Sequence, residues 1–407
     1  MTKTRSLVAL AVAALAGWAV SPLALQRASP AAPAALAALV VQPLTSPAGA
    51  NSSGPQLIVT KERAVLSWLE GAGPKATLKF SDKTPAGWSA ARTAFAGSAM
   101  IVNSADVPSV RYLSDGTLVA AWTEENGIDP EASTLRLSWS KDAGRTWSPP
   151  VSPYAEKSQQ QHGFASLFEA PGGGFGVIWI DGRALETSED MALRARVYLA
   201  DGKPAGAEMV VDSRVCECCS TAVASTTAGV IAAFRNRGSD ETRDIYVSRL
   251  AAGKWAAPAL VHKDGWVIEA CPVNGPAVSA AGNDVAVGWF TAPDDQGRAF
   301  AAFSRDGGVT FGAPVRLDDA SSLGRVQVAM LPDGSAAAGW IEFVQKASQF
   351  RVRRIDRNGG RSAPATIAAG TGSQQPRIAQ VGGELLLAWT ENSQGVSRVR
   401  TAKAALK

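Results

Sequence analysis

Four cysteines and a small set of arginines hold most of the reactive chemistry in this chain of 407 residues, which has only 2 histidines. Three of the cysteines stand together in Arg214-Val215-Cys216-Glu217-Cys218-Cys219-Ser220, and the fourth lies in Glu269-Ala270-Cys271-Pro272-Val273-Asn274. Such a set supports three kinds of chemistry. Disulfides suit an oxidising compartment, and the least distorted pairing joins Cys216 to Cys219 and Cys218 to Cys271, because the neighbours Cys218 and Cys219 can pair only with strain. A thiolate cluster would instead hold a soft metal such as copper(I), or zinc, although C-x-C-C is not a standard zinc-ribbon spacing. A redox-active thiol pair is the third possibility. His162 is the one imidazole expected nearby, since His262 falls on an outer strand.

These groups act together only if the fold gathers them, and a repeat of about fifty residues predicts that it does. One complete copy runs from Val107 to Pro153 and reads as four strands: Val107 to Leu113, Thr117 to Trp122, Thr134 to Ser140 and Thr146 to Val151. Asp115-Gly116 suits a tight hairpin between the first two. The aromatic that closes the second strand recurs as Trp68, Trp122, Trp179, Phe234, Trp289, Trp340 and Trp389, at spacings from 49 to 57. Seven copies of a four-stranded sheet predict an all-β chain folded as a seven-bladed β-propeller, with six blades as the alternative. The last copy has room for only three strands, so a strand near 38–44 is expected to supply the fourth and close the ring, hiding an exposed sheet edge.

In a propeller the loops that lead into the first strand and out of the second lie on one face, called here the upper face, where ligands are expected. The cysteines precede the first strands of blades four and five, so all four should converge there. Five blades also place a carboxylate two residues after the aromatic: Glu70, Glu124, Asp181, Glu342 and Glu391. Blades four and five have Asn236 and Thr291 instead. Such a ring is a solvated rim, a set of acids paired with neighbouring arginines, or a source of proton transfer, for which Asp181 and Glu342 are the candidates.

Composition narrows the classes. With 46% hydrophobic and 19% charged residues the chain can bury a large core, and 40 Lys plus Arg against 36 Asp plus Glu leave no nucleic-acid footprint. Lys3, Arg5 and the apolar run Leu7 to Val20, followed by small residues, have the layout of a secretory signal. The expected organisation is therefore a signal peptide over 1–28, an Ala/Pro-rich tether with the closing strand over 29–54, and the propeller over 55–407. The protein would be periplasmic or secreted, with no membrane span after cleavage.

The turn Ser140-Lys141-Asp142-Ala143-Gly144-Arg145-Thr146-Trp147 is nearly copied at Ser304-Arg305-Asp306-Gly307-Gly308-Val309-Thr310-Phe311. This S-x-D-x-G-x-T-W/F pattern resembles the Asp box of the sialidase (BNR-repeat) superfamily, whose Asp boxes are structural turns on the face away from the active site. The resemblance covers the chain from residue 55 onward and departs from the family in blade number, since sialidases have six. It implies an arginine triad for a substrate carboxylate, a tyrosine nucleophile activated by Glu and an aspartic acid/base. Here Arg183, Arg235, Arg237 and Arg325 are the upper-face arginines, Tyr154 with Glu156 is the tyrosine on an upper-face loop, and His162 and Asn274 complete the ligand-binding candidates. The family's Arg-Ile-Pro motif is only loosely matched by Val107-Pro108-Ser109-Val110-Arg111. The implied function is binding of a glycan or anionic small molecule, with exo-α-sialidase-like hydrolysis if the protein is an enzyme. The alternatives are a copper- or zinc-binding or thiol-redox protein, and a scaffold for another exported protein.

Overall fold

The computed structural model describes residues 36–406 except 128, 130, 131, 189 and 370–372, and leaves out the side chains of 369 and 373. The leader expected at 1–28 lies outside the described residues. Among those described, no helix is long and apolar enough to cross a membrane.

The described chain forms seven antiparallel sheets, each built from consecutive strands except at the join. There Val41–Leu44 pairs with Val396–Ala405, which continues through Glu384–Ser393 to Ser373–Val381, so the expected closing strand is present. The second strand of each blade is nearly continuous apolar sequence, as in Leu118–Glu125 and Phe175–Asp181. A strand that is buried on both faces needs such a run, and these strands are covered by the blades on either side. The core is accordingly divided among seven apolar clusters, one between each pair of neighbouring blades. The cluster that joins Leu57, Leu66 and Trp68 of blade one to Leu386, Ala388 and Val399 of blade seven shows that the ring is closed.

Blade two departs from its expected pattern. Its first three strands are Ser109–Tyr112, Leu118–Glu125 and Ser133–Ser140, but the fourth is reduced to the single bridge between Leu137 and Val151. Pro149 and Pro150 carry no amide hydrogen, so the ladder cannot be continued through them. The Asp-box turns form as expected: Ser140 Oγ donates to Asp142 at 2.8 Å and accepts from the Gly144 amide at 2.8 Å, while the Thr146 amide and hydroxyl donate to Asp142 at 2.9 and 2.7 Å. Asp306 repeats this set with Ser304 and Thr310. Gly144 and Gly308 have positive φ, and a Cβ on Gly308 would lie 2.2 Å from Ile231.

Four blades share a device that shapes the upper mouth of the central channel. The first strand of blades one, three, six and seven begins with a register shift, and the residues there with positive φ are Gly54, Phe164, Gly324, Arg325 and Gln375. A bulge adds one residue on one side of a ladder and turns its side chain away from the sheet. Three of these five are not glycine, so the left-handed backbone is held at a cost.

Candidate functional site

The ring of carboxylates proves to be a packing device. In five blades the aromatic lies directly across the ladder from a cation on the third strand: Trp68 from Lys79, Trp122 from Arg136, Trp179 from Arg194, Trp340 from Arg351 and Trp389 from Arg400. The acid two residues on shares that side of the sheet and meets the cation diagonally, for example Glu70 to Lys79 at 2.6 Å and Glu124 to Arg136 at 2.9 Å. In blades one to three the tryptophan Nε1 also donates to this carboxylate. Blade five has Thr291 at the position, and there Trp289 donates to Asp264 instead, at 2.7 Å.

This arrangement accounts for both proton-transfer candidates. Asp181 is fully buried and accepts from Trp179 at 2.8 Å and from Arg183 at 2.7 Å through both oxygens. Burial opposes its charge, but Arg183 and Trp179 outweigh that and hold its pKa below the ordinary range. Glu342 is buried, accepts the amides of Asp319 and Ala320, and faces Arg351. Neither carboxylate is presented to solvent. Tyr154 is likewise buried: its hydroxyl accepts the Leu135 amide at 3.0 Å, its ring stacks on His162, and burial raises its pKa far above the phenol value, which does not suit a nucleophile.

The remaining candidates divide by whether their charge is already answered. His162 is buried between Tyr154, Glu156 and Asp181, and it is not among the side chains grouped with the cysteines. Arg183 pairs with Asp181 and Glu208, and Arg237 with Glu217 and Glu241. Arg235 is buried and donates to three backbone carbonyls, those of Asn274, Arg243 and Phe290, with the Trp266 ring 5.1 Å from its guanidinium carbon. Carboxylates answer the charge of Arg183 and Arg237, whereas Arg235 has its donors fixed by carbonyls that leave its charge unpaired. Asn274 positions the next element: its side-chain oxygen accepts the amide of Arg325 at 2.8 Å.

Arg325 differs from the rest. Its guanidinium makes no hydrogen bond or ion pair among the described residues, it is only partly exposed, and its backbone is left-handed at φ 55°. Burial depresses its pKa. Beside it stands Arg377, whose pKa falls to about 10 through burial and then through repulsion by Arg325. Arg377 donates from Nε to Gln56 at 2.6 Å and from Nη1 to the Pro376 carbonyl at 2.9 Å, and no carboxylate among the described residues pairs with it.

Arg377 lines a central cavity of about 780 Å³ walled by the first strands of all seven blades, together with Gln56, Asp106 and Arg111. Arg111 is also without an ion pair and donates to the Leu167 carbonyl. Asp106 faces the Phe164 amide and the Thr123 hydroxyl from a concave wall, and burial pushes its pKa up to about 6. Gln375 ties this mouth together by accepting from Gly54 and Thr390 and donating to Ser104.

The sequence pattern did not single out Arg377, Asp106, Gln375 or Gln56. The available signal for Arg377 was its position. A polar side chain at the head of the innermost strand has the channel as its nearest open space.

The cysteines do converge, as expected from their places on adjacent blades. Cys218 is joined to Cys271, while Cys216 and Cys219 are free and buried, which corrects the expected Cys216–Cys219 bridge. The Cys216 sulfur lies 3.9 Å from that of Cys218. Burial disfavours its thiolate, but the Cys219 thiol, Arg235 and Arg243 favour it more and bring the pKa down to about 7. Cys219 is pushed well up by burial and by Cys216.

No protein-family profile matches the sequence, and no curated protein matches it either. Solved structures match in fold. The polysaccharide lyase Uly1 aligns with a TM-score of 0.52 at 13% identity, covering 87% of this chain and 90% of that one. A PL25 ulvan lyase bound to a GlcA-Rha3S oligosaccharide aligns with a TM-score of 0.55 at 10% identity, covering 90% and 94%. The endosialidase of phage phi92 aligns with a TM-score of 0.50 at 8% identity, covering 91% and 69%. The chain therefore has the sialidase-type β-propeller fold.

Proposed function

We propose that this protein is an exported, sialidase-like propeller that binds an anionic glycan at the upper mouth of its channel. The observation that carries this reading is the pair Arg325 and Arg377: two partly buried guanidinium groups, near enough to repel each other, that no carboxylate pairs with among the described residues. Placing like charges side by side in a low-dielectric wall is unfavourable unless a ligand supplies the counter-charge. Guanidinium suits a planar carboxylate or a sulfate because it can donate two parallel hydrogen bonds. The fold neighbours support a glycan as the carrier of that anion, since two are polysaccharide lyases and one is an endosialidase.

Any chemistry performed there falls to Asp106, which lines the same cavity and, with a pKa near 6, can hold or release a proton close to neutral pH. Glycoside-hydrolase-like action would use it as the acid. The buried Tyr154, Asp181 and Glu342 take no part.

The reading is checked by calorimetric titration with uronate-containing, sulfated, sialylated and neutral oligosaccharides. Binding of one anionic class that weakens with added salt and at least about tenfold in Arg377→Ala is expected, given about 1.5–3 kcal/mol for a charge-assisted hydrogen bond. Equal affinity for neutral and anionic chains would overturn it.

A further inference from the structure

The sulfur cluster shares no side chain with the channel site, although Cys219 lies within electrostatic reach of Arg325, and it is organised beyond what one disulfide requires. The sulfurs of Cys216, Cys218 and Cys219 all lie within 4.8 Å of one another, and Cys271 is bonded to the second of them. In a tetrahedral thiolate centre with metal–sulfur bonds of about 2.3 Å, neighbouring sulfurs stand about 3.8 Å apart. The Cys216–Cys218 separation of 3.9 Å is that of one edge.

We propose that Cys216, Cys218, Cys219 and Cys271, once the bridge is reduced, bind one soft d10 cation, copper(I) or zinc(II), through their four sulfurs. Opening the Cys218–Cys271 bond takes two electrons and yields two thiols: a dithiol gives the electrons and both protons and becomes a disulfide, whereas a phosphine gives the electrons and becomes the phosphine oxide, with water supplying the oxygen and both protons. Each coordinating thiol then releases its proton to solvent as its sulfur binds the ion.

The surroundings are those that thiolate ligands need. The Cys218 amide acts favourably on a thiolate at Cys216 and the Asn274 amide on one at Cys219. Arg243 reaches the Cys216 sulfur as well. Such outer donors orient thiolates and spread their charge. Arg235 contributes a full positive charge that no carboxylate pairs with among the described residues; its donors go only to neutral carbonyls. It acts electrostatically on both Cys216 and Cys219. An anionic metal–thiolate centre supplies what that buried cation lacks. The set also has an approach from solvent, because Cys271 is exposed while Cys216 and Cys219 are buried beneath it.

The loop holding Cys271 also carries Asn274, whose side chain fixes the Arg325 amide. Metal loading is therefore placed to reach the channel mouth without sharing a ligand with it.

The experiment uses the full chain, reduced anaerobically with a phosphine, and copper(I) or zinc(II) alone as probe, each in competition with a chromophoric chelator. One equivalent of one of the two ions is expected to bind the reduced protein and to shield all four cysteines from alkylation, read by mass. The bridged protein should bind at least about tenfold more weakly. Cys216→Ser and the surface variant Cys271→Ser should each lose a similar factor, the second keeping the result interpretable if the first fails to fold. Reduced wild-type protein that binds neither ion, or that binds as well in Cys271→Ser as without it, would sink the proposal. Sialoside or uronate binding is not part of this readout, so its outcome leaves the channel reading untouched.

Discussion

Blade three and the junction of blades six and seven each present arginine on the upper face, yet they have opposite characters. Around Asp181, Arg183 and Arg194 share Asp181 and Glu208, and His162 and Trp179 fill the remaining space. Every charge there has an answer within the protein. At Arg325 and Arg377 the cations repel each other, one is on a left-handed backbone, and neither has a carboxylate partner among the described residues. The first arrangement maintains the fold, whereas the second is incomplete without something from outside. Residue type alone does not separate them; the state of the charge does.

The sharpest way to break this contrast is to remove the acid of the saturated cluster. Asp181→Ala should cost about 3 kcal/mol of stability, because it strands the Trp179 donor and leaves two guanidinium groups with only Glu208 between them, and urea unfolding would show it. Ligand binding by the folded fraction should be unchanged. A variant that keeps its stability but loses binding would reverse the assignment of the two regions.

The unsaturated cluster should respond in the other sense. Arg325→Gly removes an unpaired cation and a left-handed non-glycine residue together, so it should raise stability by about 1 kcal/mol while weakening the anionic ligand at least about tenfold. Loss of both stability and binding would mean that Arg325 is a packing residue.

A smaller effect is expected at Asp106, and its sign is fixed by its pKa. A carboxyl that ionises near pH 6 in the folded chain and near the ordinary 3.9 in the unfolded chain costs stability above pH 6, and the cost fades as pH falls toward 4. Asp106→Asn should therefore raise the melting temperature at pH 7.5 and leave it unchanged at pH 4. The same variant should flatten the rise in anion affinity that protonation brings to the wild type below pH 6.

The least effect belongs to the lower face. Asp142 is held down to about 2 chiefly by the Thr146 amide and hydroxyl, so its contribution is present above pH 4 and lost as pH falls through 2. Asp142→Asn should lower the melting temperature slightly at pH 7 and leave ligand affinity alone. A change in affinity would show that the two faces are coupled through the blade.

The blade module, the number of its copies and the strand that closes the ring were legible in the chain, because turn chemistry and buried-strand composition are local and recur at a fixed period. The gathering of the four cysteines followed from the same period, since like positions on adjacent blades are neighbours. The truncated edge of blade two was also written locally, in Pro149 and Pro150, although it was read as a strand.

What only the tertiary structure decided was which charged side chains are already paired. The acids after five of the aromatics meet cations from the next strand, Arg235 meets three carbonyls from separate segments, and Arg377 meets no acid among the described residues. Electrostatic compensation depends on distances of a few ångströms between residues far apart in sequence, and no periodicity encodes those distances. The candidate site therefore emerged as the place where the folded chain leaves positive charge unanswered.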